Sequence, residues 1–339
     1  ILYILVIGDL DKLILYSVLI LCISIIINGF YIFYCFKKFK GCSFGILFKK
    51  NILIPMLSYS GWDLFGNFSS IAKNQGLNII LNLFFGAIIN AATGIALQVQ
   101  TAVVSFSENF LLAARPQIVK YYSSGNFLEM NKLIFNASKY SFLLLFIISF
   151  PLILEMEYVL NLWLKDVPEY ALIFCTIALI NNLLSVSFRP ISYGIHATGS
   201  VKWVSIINSS IYLLVLPISY VLLSLNYSPE IPFLVNLFLL LFGCLTYLII
   251  YNKLIPVFSI SEFLTNVILK NIIVISISSI IPILVFKSLD EGFIRLLIIF
   301  ITTLIITILF VYLIVLNNDL KKQIILYLKN IFSSLWKKT

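Results

Sequence analysis

Residues 51–116 read NILIPMLSYSGWDLFGNFSSIAKNQGLNIILNLFFGAIINAATGIALQVQTAVVSFSENFLLAARP. Two apolar runs of membrane-spanning length follow one another here, and both carry ionisable residues. Asp63 and Lys73 lie in the first, Glu108 in the second, and Arg115-Pro116 is expected to close it. A charge in a hydrocarbon core costs at least about 2.5 kcal/mol, so such residues face a bundle interior or a water-filled path. In the first run Asp63, Asn67, Ser70, Asn74 and Asn78 recur every three or four residues. In the second, Asn90, Gly94, Gln98, Thr101, Ser105 and Glu108 do the same. That spacing gathers each set on one helix face. Two polar stripes in an otherwise apolar setting point to a shared hydrophilic cavity.

The rest of the chain has the composition such helices need. Of 339 residues 61% are hydrophobic and 11% charged, with mean hydropathy +1.07. Soluble domains are nearer half apolar and a quarter charged. The apolar runs are long and strand alternation is absent, which specifies helices rather than a barrel. The fold class is therefore an all-α polytopic membrane protein. Nine complete spans are expected, at 13–36, 51–84, 87–112, 133–154, 170–188, 203–225, 231–252, 267–286 and 296–316. Ile1 to Gly8 is too short to span a bilayer and reads as the end of a helix begun earlier, making the chain a C-terminal fragment.

The net charge of +9 does not signal nucleic acid, because its distribution is topological. The loops 37–50, 113–132, 189–202 and 253–266, with the tail 317–339, hold 16 of the 23 Lys and Arg. The alternate loops hold Lys12, Lys165, Lys287 and Arg295, together with nine of the fourteen acids. The positive-inside rule puts the basic loops and the C-terminus in the cytoplasm. In the tail Leu320, Ile324, Leu328, Ile331 and Leu335 stand at helical spacing among lysines, which predicts an interfacial helix. Lys120–Lys132, around Ser123-Ser124-Gly125-Asn126, predicts a turn and a short surface helix. The loop 155–169 has room for a turn and little else.

A third polar stripe lies in INNLLSVSFRPISYGIHATGS, residues 180–200, where Asn182, Ser185, Arg189, Ser192 and His196 share a face and Pro190 can kink the helix. Unpartnered polar groups in hydrocarbon cost several kcal/mol each, so three stripes are best placed around one cavity. No Walker loop, HExxH, Cys/His metal spacing or nucleophile elbow is present. The five cysteines, at 22, 35, 42, 175 and 244, form no CxxC pair and read as free thiols, so no metal or other cofactor is expected.

Residues 86–133, GAIINAATGIALQVQTAVVSFSENFLLAARPQIVKYYSSGNFLEMNKL, resemble the eighth helix and following cytoplasmic loop of Wzx-like polysaccharide flippases of the MATE/MOP transporter superfamily. ISYGIHATGSVKW, residues 191–203, is similar to their turn between the tenth and eleventh helices. The resemblance covers about 51–256, and 257–339 by span count. It implies a MATE/MOP-like bundle. Residues 1–50 would be the end of a first lobe, 51–256 a second six-helix lobe, 257–316 two additional helices and 317–339 a basic amphipathic tail. It further implies a bacterial inner-membrane protein, not an enzyme. Such a protein moves undecaprenyl-diphosphate-linked oligosaccharide units, as for O-antigen and lipopolysaccharide, by alternating access. Its partners are that substrate, membrane lipids, a coupling proton or sodium ion, and polysaccharide-assembly proteins.

On that reading Lys73, Arg115, Arg189 and His196 attract the diphosphate. Asn67, Asn74, Gln98 and Asn182 contact sugar, and Asp63 and Glu108 serve ion coupling or gating. Each residue also has a plainer role. Lys73 can snorkel. Glu108 can pair with Arg115 seven residues on. Arg115 and Arg189 suit cytoplasmic helix ends. Trp62 suits packing, and a lone His suits an interface. Two further functions stay open: a multidrug cation exporter of the same superfamily, and a membrane polysaccharide polymerase or acyltransferase. The absence of a long outer loop and the single histidine weigh against the enzyme.

Overall fold

The computed structural model describes residues 12–39, 49–316 and 321–322. The expected partial helix before Asp11, most of the lysine-bearing 37–50 loop and the interfacial tail helix lie outside them. The described residues are almost wholly helical and contain no strand. The chain is an all-α polytopic membrane protein. Seven described helices are long and apolar enough to cross a membrane, or eight if one bent pair is a single span.

Two compact units divide at Pro55. In the first, α1 (Lys12–Lys38) is a 27-residue helix ending on Lys37 and Lys38. The second unit holds everything from Met56 onward. It begins within α2 (Lys50–Phe85), which turns at Gly86 into α3 (Ala87–Ser123). Gly86 has φ +77°, a left-handed conformation that a residue without Cβ adopts freely. Then come α4 (Phe127–Leu154), α5 (Met156–Trp163), α6 (Ala171–Val186), α7 (Arg189–Thr198), α8 (Lys202–Ser224) and α9 (Ile231–Leu254). Two last spans, α10 (Ile260–Ser288) and α11 (Phe293–Val315), complete it.

Eight of the nine expected spans correspond to the seven apolar helices and the bent pair α6–α7. The ninth, 51–84, forms as the 36-residue α2 but is not among the helices apolar enough to cross a membrane. Its Asp, Lys and Asn residues hold its hydropathy down.

Pro116 does not end α3; the helix runs on to Ser123. A proline removes one donor and crowds one carbonyl, and a long helix absorbs both. The turn 124–126 is then minimal. Gly125 takes φ +71° and Asn126 caps α4, its side chain accepting from the Glu129 N–H at 3.3 Å. The separate surface helix expected at 120–132 is therefore absent, because α3 and α4 extend into it from either side. The loop 155–169 also departs from expectation, since it contains α5, anchored by buried Met156 and Leu160. Glu155 beside it is fully enclosed, and Arg295 of α11 clamps it through Nε and Nη2 at 2.6 and 2.8 Å. Between α6 and α7 the axis bends 45° where Pro190 stands, as its sequence predicts.

The core has two apolar parts. One joins α3, α4, α5 and α6 around Leu111, Leu145, Leu160 and Phe174. The other joins α4, α7, α9 and α10 around Ile134, Ile195, Tyr251 and Phe263. Gly194 lets α7 press on this second part. A Cβ there would lie 2.6 Å from the Tyr251 ring and 2.9 Å from Ile134. With α3, α4, α6 and α9 packed, the polar faces of α2 and α7 are left around a hollow.

A polar track of three cavities

The hollow is a cavity of about 480 Å³. Its lining comes from α2 (Ser70, Lys73, Asn74), α3 (Leu97, Gln100), α6 (Asn181, Asn182, Ser185), α7 (Arg189, Ser192, Tyr193), α8 (Tyr212) and α9 (Asn236, Tyr247). A second cavity of about 210 Å³ holds Asp63, Asn67, His196 and Asn208 and shares Ser70, Tyr212 and Tyr247 with the first. A third, about 70 Å³, reaches Asn78 and Leu81 and shares Lys73, Asn74, Gln100 and Asn236. Asp63 to Leu81 is about 27 Å along α2 at 1.5 Å per residue. That nearly matches the roughly 30 Å hydrocarbon core of a bilayer.

Hydrogen bonds fix the walls of the large cavity. Gln100 Nε2 donates to Asn182 Oδ1 at 3.0 Å, and Asn182 Nδ2 donates back to the Gln100 carbonyl at 3.1 Å. This reciprocal pair ties α3 to α6. Lys73 Nζ donates to Asn236 Oδ1 at 3.0 Å and lies 5.0 Å from the centre of the Tyr212 ring. Asn236 Nδ2 reaches Asn181 Oδ1 at 3.5 Å. Lys73 has no carboxylate partner among the described residues. It is a cation held by neutral groups, with ammonium protons left for an anionic guest.

Glu108 forms an ion pair with Arg189 and accepts a hydrogen bond from the Tyr193 hydroxyl at 3.3 Å. The expected partner, Arg115, is instead exposed, its guanidinium 5.4 Å from the Tyr193 ring centre. Arg189 stands on α7, which packs against α3, and so faces Glu108. Glu108 and Arg189 thus neutralise one another, and Lys73 supplies the cavity's unbalanced charge.

In the second cavity Asp63 Oδ1 lies 3.9 Å from His196 Nδ1, and the Tyr59 hydroxyl lies 2.9 Å from the same nitrogen. Asn67 Nδ2 donates to Asp63 Oδ2 at 3.2 Å. Asn208 is 5% exposed, and neither atom of its amide has a partner among the described residues. Asn208 lines this cavity, and a buried amide without a protein partner calls for water or a ligand there. Trp62 carries the Lys202 ammonium 5.5 Å from its ring centre and packs on the second core cluster.

Of the expected site residues, Lys73, Asn74, Asn182 and Arg189 line the large cavity, and Asp63, Asn67 and His196 the second. Glu108 joins through Arg189. Gln98 and Arg115 line none of the three cavities; both are exposed, and Arg115 lies against the ring of the cavity residue Tyr193. Gln98 fails because Gln100, two residues on and about 160° away round the helix, points inward instead. Sequence reasoning missed Gln100, Asn181, Asn208, Tyr212, Asn236 and Tyr247. Asn236 carried a usable signal as an amide inside a span of mean hydropathy 2.5. No family model, curated protein or solved structure matches this chain.

Proposed function

We propose that the protein is a membrane transporter that flips an oligosaccharide linked to a polyprenyl diphosphate, across the bacterial inner membrane with its C-terminus cytoplasmic. The observation that carries this reading is the track of three cavities with shared walls, about as long as the bilayer core is thick. Its chemistry suits the cargo. Asn, Gln, Ser and Tyr side chains match sugar hydroxyls, donor for acceptor. Lys73 matches a phosphate oxygen, and Arg189 adds a guanidinium once Glu108 releases it. The prenyl tail stays in lipid. Residues 86–133 and 191–203, which resemble Wzx-like flippases, contribute walls of this track.

A cation exporter needs acids left free to bind its substrate. In this track Glu108 is paired, Asp63 sits against His196 and Asn67, and the unbalanced charge is positive. The energy source we assign is an ion gradient, since one charge crossing 100 mV yields about 2.3 kcal/mol. On this reading Asp63, which faces His196 across 3.9 Å, serves the coupling ion.

Deletion of the gene tests the proposal. The expected phenotype is loss of surface polysaccharide with lipid-linked units retained in the inner leaflet, restored by the wild-type chain and poorly restored by Lys73→Gln. Unchanged polysaccharide with greater sensitivity to cationic drugs overturns it in favour of an exporter. Units flipped but not polymerised overturn it in favour of a polymerase.

A further inference from the structure

Away from the track, two lysines stand at bilayer depth on helices that pack together. Lys139 lies on α4 and Lys270 on α10, and these helices are in contact along this stretch. Both helices begin at the basic-loop end of the bundle, so their residues descend in parallel. The exposed Lys132–Glu129 pair marks the wet start of α4, and Lys139 is seven residues deeper, about 10 Å. Glu262 is exposed near the start of α10, and Lys270 is eight residues deeper, about 12 Å. The two residues therefore start from about one level on helices that touch, and their like charges repel each other.

Lys139 is only 7% exposed, so it does not reach back to water as a snorkelling lysine does. Its charge has no carboxylate and no hydrogen-bond acceptor among the described residues. The Tyr140 ring centre lies 6.0 Å from its ammonium. Immediately before Lys270 the α10 backbone is π-helical over Leu264–Leu269. Such a widened turn shifts the angular position of the residues beyond it, and is common where a helix holds a functional group. Lys139 is buried and Lys270 half-buried beside it; two like charges at this depth without an anion are costly, and a bound anion relieves both desolvation and mutual repulsion.

We propose that Lys139 and Lys270 together bind the phosphate of an acidic membrane lipid, seated where α4 meets α10 about two helical turns below the basic surface. The depth selects the source. A phosphodiester with acyl chains lies at the headgroup boundary with its tails already in hydrocarbon, whereas free phosphate would have to shed its water to enter. The site is separate from the transport track and does not depend on the transport reading.

The test uses the full chain in nanodiscs of phosphatidylcholine with or without phosphatidylglycerol, with lipid retention read by native mass spectrometry and stability by thermal unfolding. Wild type should retain phosphatidylglycerol selectively and melt higher when it is present. Lys139→Gln or Lys270→Gln should each lower the selectivity roughly fivefold, from about 1 kcal/mol of attraction per lysine. The double variant should melt alike in both lipids. In phosphatidylcholine alone it should be at least as stable as wild type, since a buried repulsion is gone, and this separates loss of the site from misfolding. Lys253→Gln, a basic residue elsewhere on the same end, should leave the selectivity intact. Equal selectivity in wild type and double variant overturns the proposal. So does inorganic phosphate reproducing the stabilisation in phosphatidylcholine, which would assign the site to a soluble anion.

Discussion

Replacing Glu108 with Gln strands Arg189 in a cavity wall, and the cost can be bracketed. Exposed ion pairs contribute about 0.2–1 kcal/mol. Breaking a fully buried pair costs about 3–5 kcal/mol, because one charge is left unpaired out of water. Here the side chains are 26% and 35% exposed, so the pair lies between these limits and water screens part of the loss. We expect about 2 kcal/mol for Glu108→Gln and the same for Arg189→Gln. The double variant removes both charges and should lose about 1 kcal/mol or less, so the coupling should be near 3 kcal/mol. Unfolding of the purified protein in mixed micelles, followed by circular dichroism, measures all three. The same cycle with Arg115→Gln in place of Arg189→Gln should be additive within about 0.5 kcal/mol, because Arg115 stacks on Tyr193 instead of meeting Glu108. Additive losses for Glu108 and Arg189, or coupling of Glu108 to Arg115, would refute the assignment of partners.

Lys73→Gln should fold normally yet cut translocation about tenfold or more, the effect of losing one charge-assisted hydrogen bond, measured as labelled lipid-linked units reaching the outer leaflet. Gln100→Ala should lower translocation while Gln98→Ala does not, in the same assay, because only Gln100 holds the α3–α6 wall. Glu155→Gln should destabilise the chain by about 2 kcal/mol in micelle unfolding, with Glu155→Met/Arg295→Leu recovering most of it, since the pair at the end of α11 is replaced by packing. Gly194→Ala should cost about 1–3 kcal/mol in unfolding, because the added methyl meets Tyr251 and Ile134.

The all-helical class and eight of the nine spans were legible because composition and run length leave little else for a chain in lipid. The polar stripe of α6–α7 was legible in full: Asn182, Ser185, Arg189, Ser192 and His196 all reach a cavity. The stripe on α3 was legible only at its ends. Asn90 and Glu108 are half-buried, whereas Gln98, Thr101 and Ser105 are exposed, and Thr101 and Ser105 bond to their own helix carbonyls. A three- or four-residue spacing defines a face but not its direction, and one misjudged face exchanges Gln100 for Gln98. Partners across helices were illegible for a different reason. Arg189 meets Glu108 because α7 packs on α3, a contact between helices that no local spacing announces. Asn236 and Tyr212 lie in apolar spans without a stripe, and nothing in their local pattern announces that Lys73 will sit between them.

The shortfall of α2 in hydropathy is itself informative. Leu57, Leu64, Phe68, Ile71, Ile79 and Leu83 are exposed on one side of it, as a lipid-facing surface requires. Asp63, Asn67, Ser70, Lys73, Asn74 and Asn78 turn to the cavities on the other. A helix of that kind is stable at bilayer depth only if its polar side is hydrated or bonded. The bonds present are few: Tyr59 to His196, Lys73 to Asn236, and Ser209 to the Phe65 carbonyl at 3.5 Å. Closer backbone approach would strengthen the joint and remove the space. Where Gly76 meets Leu216, a Cβ would lie 2.7 Å from a methyl, so the helices touch at that glycine and stand apart where the cavities lie. Weak bonding along a polar seam is what an element must have if it is to part from its neighbours and admit a hydrophilic guest, and among the described helices α2 is the one built that way.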